Sequence, residues 1–284
     1  MTAVQVVIAS DLDQTLIFSP RAAARGPQRP AQVVEVLDGQ DISLLSDVTR
    51  DGLVELDRRV AFVPVTTRTR AQYSRIGLPV RPRFAVVASG GVVLVDGEPD
   101  RDWSQVVASR LTGSPPAAVR DLLAAWAGQP WLLRVRDADD LFLVAAVEDL
   151  GPDDLAEVAE ACTGHGWRAV HQGRKLYLLP GGLDKAAAVA HVVEQVGPGS
   201  LLYAAGDTLL DWAMLCAADR GWVPAGSELD RLQRTADHVT RTAEPGLAAA
   251  EQLVTDWLEL TATCGPASSP SPTRTRGPGR PAHP

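Results

Sequence analysis

The apolar positions of this chain fall into short blocks that stop abruptly at polar residues. Val6-Val7-Ile8-Ala9 runs into Ser10-Asp11-Leu12-Asp13, and Val60 to Val65 runs into Thr66-Thr67-Arg68. Phe84 to Ala88 ends at Ser89-Gly90-Gly91, and Leu201 to Ala205 ends at Gly206-Asp207. Between them lie segments with apolar residues at helical spacing, over 46–59, through Tyr73, over 185–195, over 212–218 and over 245–260. Ser46 or Asp47 is the expected cap of the first of these helices. A short strand is expected at 221–224. Buried strands alternating with helices predict an α/β fold with a doubly wound parallel sheet, in which ligands collect beyond the carboxyl ends of the strands.

Three stretches break this alternation. Residues 17–30 have no periodicity and read as a flexible excursion. Gln32 to Leu37 and Asp41 to Leu45, joined by Asp38-Gly39, predict a hairpin able to close over a site as a flap, and a second hairpin turn is expected at Asp96-Gly97. From about Trp103 the pattern becomes helix (116–126), strands (131–136 and 141–147), helix (153–163) and strands (167–171 and 175–179). Hairpins that follow helices, given twice, predict an antiparallel α+β module inserted into the sheet domain. The expected division is a core from 1–102 and 180–264, an inserted domain over 103–179, and a disordered basic tail rich in Pro, Ser and Arg over 265–284.

Composition narrows the function more than the fold. A formal net charge of −8 and the lack of clustered Lys and Arg in the folded part argue against nucleic acid as a partner. Cys162, Cys216 and Cys264 are too far apart for a zinc spacing or a disulfide framework, and read as thiols in a reducing compartment. There is no charged leader and no apolar run long enough to span a membrane, so the expected location is the cytoplasm. The five histidines are scattered. Only His171, near the last predicted hairpin of the insert, invites attention, and the tryptophans read as packing residues.

The chemical candidates sit where the apolar runs end. If the first strand stays extended, Asp11 and Asp13 point to one side, and each raises the other's pKa unless a cation lies between them. Thr66 and Asp207 end other runs of the same sheet. Asp211 stands one helical turn beyond Asp207, and Lys185 opens a helix. Several carboxylates, a hydroxyl and a lysine at one sheet edge suit a hard divalent cation and a phosphate, and the oxygen ligands favour Mg2+.

Asp11-Leu12-Asp13-Gln14-Thr15, Thr66 after its apolar run, Lys185 before a helix, and Gly206-Asp207 with Asp211 together resemble the four ordered motifs of the haloacid dehalogenase superfamily. The insert between the second and third motifs resembles the C2B cap of the branch that contains Cof-type, sucrose-phosphate, mannosyl-phosphoglycerate and trehalose-phosphate phosphatases. The resemblance covers about residues 4–260. It implies a Mg2+-dependent phosphatase acting on a small phosphate ester, such as a sugar or polyol phosphate, through an aspartyl phosphate. Asp11 would be the nucleophile and Asp13 the general acid and base. Asp11 and Asp207, the backbone carbonyl of Asp13, and Asp211 directly or through water would hold the metal. Thr66, Thr67 and Lys185 would bind the phosphoryl group.

Thr67 stands where the family often has Gly, which puts the backbone turn after Thr66 in question, while Gln14 takes another common Gly position. Arg68 fills the family's frequent arginine position and joins Arg134, Arg136 and Arg174 as candidates for the substrate's remaining polar groups. Arg168 and Lys175 lie on or beside the same strands. A phosphomutase of the same superfamily shares the aspartyl-phosphate step. A phospho-receiver or other regulatory protein also gathers acids, a Thr and a Lys at one sheet edge, but receivers are small and lack an inserted module. A monomer or weak homodimer is expected.

Overall fold

The computed structural model describes residues 5–111, 113 and 115–262. Its main sheet has eight strands, β1 (Val6–Asp11), β4 (Ala61–Val65), β5 (Phe84–Val87), β6 (Val92–Val95), β7 (Glu98–Pro99), β12 (Leu201–Ala205), β13 (Arg220–Val223) and β14 (Val239–Arg241). Their order is β14-β13-β12-β1-β4-β5-β6-β7. The first six of these positions run parallel, and β6 and β7 turn back antiparallel at one edge. The fold is therefore α/β with a mostly parallel sheet.

Both faces of the sheet are covered, which explains why its strands read as unbroken apolar runs. Val7 and Ala9 of β1 pack with Val63 and Val65 beneath α7 (Lys185–Val196), α8 (Trp212–Ala217) and α4 (Arg101–Arg110). Val6, Ile8 and Phe62 lie on the opposite face with α2 (Asp47–Leu56) and α10 (Leu247–Leu260), around the fully buried Trp257. Because the core uses alternate residues of one strand for opposite layers, its chemistry can emerge only at the strand ends.

The hairpin β2 (Ala31–Leu37) and β3 (Gln40–Ser46) forms its own two-stranded sheet and leads into α2, whose N-cap is Ser46. The 17–30 stretch is more ordered than its lack of periodicity suggests. Pro20–Ala23 forms α1, capped by Ser19, whose hydroxyl accepts from Ala22 N, and Ala22 is buried. Ser before Pro at the first helical position is a local signal that a search for apolar repeats passes over. The helix expected through Tyr73 is the short α3 (Arg70–Tyr73), whereas α9 (Glu228–Arg231) and α4 go unannounced by periodicity.

Between β7 and β12 the chain builds a four-stranded antiparallel sheet in the order β10-β11-β9-β8, from β8 (Leu132–Ala138), β9 (Phe142–Val147), β10 (Trp167–Gln172) and β11 (Lys175–Pro180). Helices α5 (Pro116–Ala125) and α6 (Pro152–Thr163) place Val119, Leu123, Val158 and Cys162 in one cluster with Leu143, Ala145, Leu176 and Leu178 of this sheet. The helix that precedes them, α4, leans on the main sheet instead: Trp103 is buried and its indole donates to the Gly90 carbonyl at 2.9 Å. The predicted tail over 265–284 lies outside the described residues. Among the described residues no helix is long and apolar enough to cross a membrane.

Helix α2 meets α10 through Gly52, where an added Cβ would lie 2.0 Å from Val254 Cγ1. Replacing a helical Gly by Ala ordinarily gains helix propensity, but valine is stiff at χ1 and cannot swing clear. Gly52→Ala should therefore lower unfolding stability by about 1–3 kcal/mol, as overpacked cores do. Thermal or denaturant unfolding reads this directly, and adding Val254→Ala should recover part of the loss.

Candidate functional site

The register of the parallel strands brings the polar run ends together. Asp11 lies opposite Val65, so Thr66 follows the position beside it, and Ser10 lies opposite Ala205, so Gly206-Asp207 follows on the other flank. Among the described residues, Asp11, Asp207 and Asp211 form a buried group whose ligand oxygens all lie within 4.8 Å of one another. Lys185 reaches this group from the first position of α7, with Nζ 2.8 Å from Asp11 Oδ1 and 2.6 Å from Asp211 Oδ1. A buried cation at a helix N-terminus opposes the helix dipole, so these carboxylates are what make the position tenable.

The backbone is shaped to let these groups approach. At Gly206 an added Cβ would lie 2.3 Å from Cβ of Asp211, and at Gly90, whose φ is +90°, it would lie 2.4 Å from the Asp184 carbonyl oxygen. Only glycine allows the first strand end to sit against Asp211 and the second to sit against the start of α7. Asp211 precedes α8, and its Oδ2 accepts from both the backbone N–H and the hydroxyl of Thr208. Its carboxylate is thus held from two directions, by Thr208 and by Lys185. Asp207 is less occupied; Gln14, with φ +63° where the family often has Gly, reaches it only at 3.5 Å.

Thr66 is buried, and its hydroxyl oxygen accepts from the backbone N–H of Arg68 at 3.1 Å. That leaves the hydroxyl hydrogen to donate elsewhere. The turn after Thr66 closes with Thr67 present: Ala88 N donates to Arg68 O, and Ser89 N donates to Thr66 O.

Burial dominates the electrostatics. The Asp11 carboxyl is pushed up to about 8, chiefly by burial; Lys185 pulls it down, and Asp211 and then Asp13 push it up further. Burial also holds the Asp207 carboxyl well above the usual carboxylate range, with the Asp11 and Asp211 charges next. Burial works against charge on Lys185, but Asp11 and Asp211 outweigh it and raise its pKa. One lysine cannot neutralise three carboxyl groups once all are ionised, so without a further cation burial keeps protons on them. An oxygen-only donor set with excess negative charge fits a hard divalent cation.

Asp13 departs from the expected pairing with Asp11. The strand ends at Asp11, and Asp13 continues in an isolated bridge to Ile17. Its carboxylate is instead gripped by Arg68, Nε to Oδ2 and Nη2 to Oδ1, both at 2.7 Å. Among the causes of the Asp11 shift, Asp13 therefore ranks behind burial and Asp211. Arg68, expected to reach for substrate, is committed within the protein: it also binds Glu35 Oε2 at 2.5 Å and Ser43 Oγ at 3.2 Å. Burial disfavours its charge, yet the carboxylates of Asp13 and Glu35 raise its pKa.

The candidates on the insert are spread out. Arg134 and Arg136 are exposed on β8, opposite Ala146 and Val144, a face shared with Lys175 and Tyr177 of β11. Arg174 pairs with Glu148 at the far end of the sheet from the β8–β9 turn, and Arg168 donates to the Leu183 carbonyl. His171 Nε2 lies 2.8 Å from the Gly173 carbonyl oxygen. It is the β8–β9 turn that meets the core, where Asp139 Oδ2 accepts from the backbone N–H of Arg70 at 3.0 Å. Glu35, Ser43, Arg75, Thr208 and Asp139 carry no motif that marks them in the sequence.

The Asp11 shift has a thermodynamic consequence. Between about pH 4 and about pH 8 the metal-free folded protein retains a proton on Asp11 that the unfolded chain has released, so its stability falls as pH rises through this window. Added Mg2+ should raise the thermal midpoint more at pH 8 than at pH 5, where it must displace that proton. Thermal unfolding with chelator and with Mg2+ at both pH values measures the difference, and Asp11→Asn should reduce the metal-free dependence, Asp207 retaining its share.

No protein-family model and no curated protein matches the sequence. Solved structures do match in three dimensions. The sucrose-phosphatase of Synechocystis sp. PCC6803, in complex with sucrose and phosphate, superposes with a TM-score of 0.63 at 16% identity, over 89% of this chain and 98% of that one. A trehalose-6-phosphate phosphatase related protein gives 0.57 at 16% identity, over 90% and 99% of the two chains. A haloacid dehalogenase-like hydrolase from Bacteroides thetaiotaomicron gives 0.53 at 15% identity, over 89% and 99%. The likeness spans the main sheet and the insert together, and the chain has the fold of the haloacid dehalogenase-like hydrolases with a cap domain.

Proposed function

We propose that this chain is a haloacid dehalogenase superfamily phosphatase that hydrolyses the phosphate ester of a small metabolite, a sugar or polyol phosphate, with Mg2+ as its cofactor. The observation that carries the reading is the buried group of Asp11, Asp207 and Asp211 with Lys185 bridging two of them beside Thr66. Its negative excess suits a divalent cation, and a phosphoryl group can then bind against the cation, Lys185 and the Thr66 hydroxyl. The phosphatase names of the similar structures, one of them bound to sucrose and phosphate, support the substrate class.

In this mechanism a carboxylate oxygen of Asp11 attacks phosphorus in line. The new Asp11–phosphorus bond forms as the ester bond breaks, and the departing oxygen takes its electron pair and a proton from Asp13. Water then attacks the aspartyl phosphate, gives its proton to Asp13 and frees inorganic phosphate and the Asp11 carboxylate. Mg2+, held by Asp11, Asp207 and the Asp13 carbonyl with Asp211 direct or through water, would neutralise charge between the nucleophile and the phosphoryl oxygens. Lys185 orients Asp11 and offsets its charge. The insert is read as a cap, and Arg134 and Arg136 on its open face are assigned to the substrate's remaining polar groups.

Phosphate release from a panel of sugar and polyol phosphates, with and without Mg2+, tests this. Activity should require Mg2+, and Asp11→Asn should lower kcat by about a thousandfold or more. A native protein inactive across the panel yet binding a partner protein tightly would overturn the phosphatase reading, and activity surviving Asp11→Asn would exclude the covalent route.

A further inference from the structure

Glu35 is a carboxylate in an unusual place. Its side chain is 0% exposed, yet it lies on a two-stranded hairpin whose neighbouring apolar residues Val33, Val36 and Leu37 are exposed. The cause is an irregularity in the ladder. Register shifts on both sides of Glu35 set it opposite Ser43 and bury it next to buried Val34, so the strand's alternation fails at this residue. Bulges of this kind re-aim side chains, often beside active sites.

Everything around Glu35 is arranged to hold its charge. Ser43 Oγ donates to Oε2 at 2.9 Å, Arg68 to the same oxygen at 2.5 Å, and Arg75 to Oε1 at 3.2 Å. The far side of the Arg68 guanidinium is the one that clasps both oxygens of Asp13. The fork of Arg68 is planar, so fixing one edge against Glu35 fixes the plane offered to Asp13. A buried ion pair of this kind adds little net stability, which favours a geometric role for it.

We propose that Glu35 is a positioning residue, which acts through Arg68 to hold the Asp13 side chain by one oxygen while the other, protonated and released from Arg68, is oriented to protonate the leaving oxygen. The hairpin thereby takes part in catalysis without touching substrate. This rests on the reading of Asp13 as the general acid.

A leaving group that needs no proton separates this role from a merely structural one. The kcat/KM of an alkyl phosphate such as glycerol 1-phosphate depends on the acid, whereas that of p-nitrophenyl phosphate, with its acidic phenol, does not. Glu35→Gln should lower kcat/KM about tenfold or more on the alkyl ester and less than about threefold on the aryl ester, a part of the full general-acid contribution. Arg68→Lys, which keeps the charge but loses the fork, should show the same selective loss and serves if Glu35→Gln does not fold. In an Asp13→Asn background, Glu35→Gln should cause no further loss on the alkyl ester. Equal losses on both esters, or losses that add to those of Asp13→Asn, would overturn the inference while leaving the phosphatase reading standing. A native protein inactive on both esters and across the sugar and polyol phosphate panel would overturn both.

Discussion

The interaction on which this structure depends is the burial of Asp11, Asp207 and Asp211 around a single Lys185. Carboxylates this close repel one another, and in a buried site water does not screen them. The surrounding backbone answers that cost at several points. Gly206 lets β12 end against Asp211, Gly90 lets the turn after β5 end against the start of α7, and Thr208 donates twice to Asp211. None of these features stabilises the fold efficiently. They are intelligible as a cradle for the cation and phosphate of the proposed function.

A second charged group lies beside the first and obeys a different rule. Asp13, Arg68, Glu35 and Arg75 alternate in sign and balance, so this group calls for no ligand. The contrast separates the two functions. Under the proposed function the first cluster would hold the cation and phosphate, and the second would orient the acid. That Asp13, only one residue removed from Leu12 and two from Asp11, belongs to the second group follows from the end of β1 at Asp11 and the grip of Arg68 on Asp13.

The parts of this arrangement that could be read from sequence are those where chemistry interrupts a regular pattern. Asp11, Thr66 and Asp207 each end an apolar run, and the shared edge of a parallel sheet then brings them together. The parallel core, the β2–β3 hairpin and the helix-strand-strand insert follow from the same periodicities. Glu35 was not legible because a single Glu in a short hairpin strand looks solvent-facing, and a register shift leaves no mark in composition. Arg68 illustrates the complementary failure. Its position was evident, but its partners lie on residues 13, 35 and 43, and only the fold shows that they use up its donors. The strand β14 had no signal because its short run, Val239–Arg241, gains its identity by pairing with β13.

The segment from Thr66 to Arg70 is where these levels meet. Thr66 borders the carboxylate cradle, Arg68 joins the hairpin to Asp13, and the backbone N–H of Arg70 receives the cap turn at Asp139. The same segment is pinned to the sheet by Ala88 N to Arg68 O and Ser89 N to Thr66 O. A displacement of the hairpin or of the cap turn would therefore be transmitted to one short loop. Under the proposed function that loop carries both a hydroxyl for the phosphoryl group and the guanidinium that holds the acid, so the two share one short stretch of backbone. The insert and the hairpin thus both contact the loop that borders the carboxylate group, through Asp139 on Arg70 and Glu35 on Arg68.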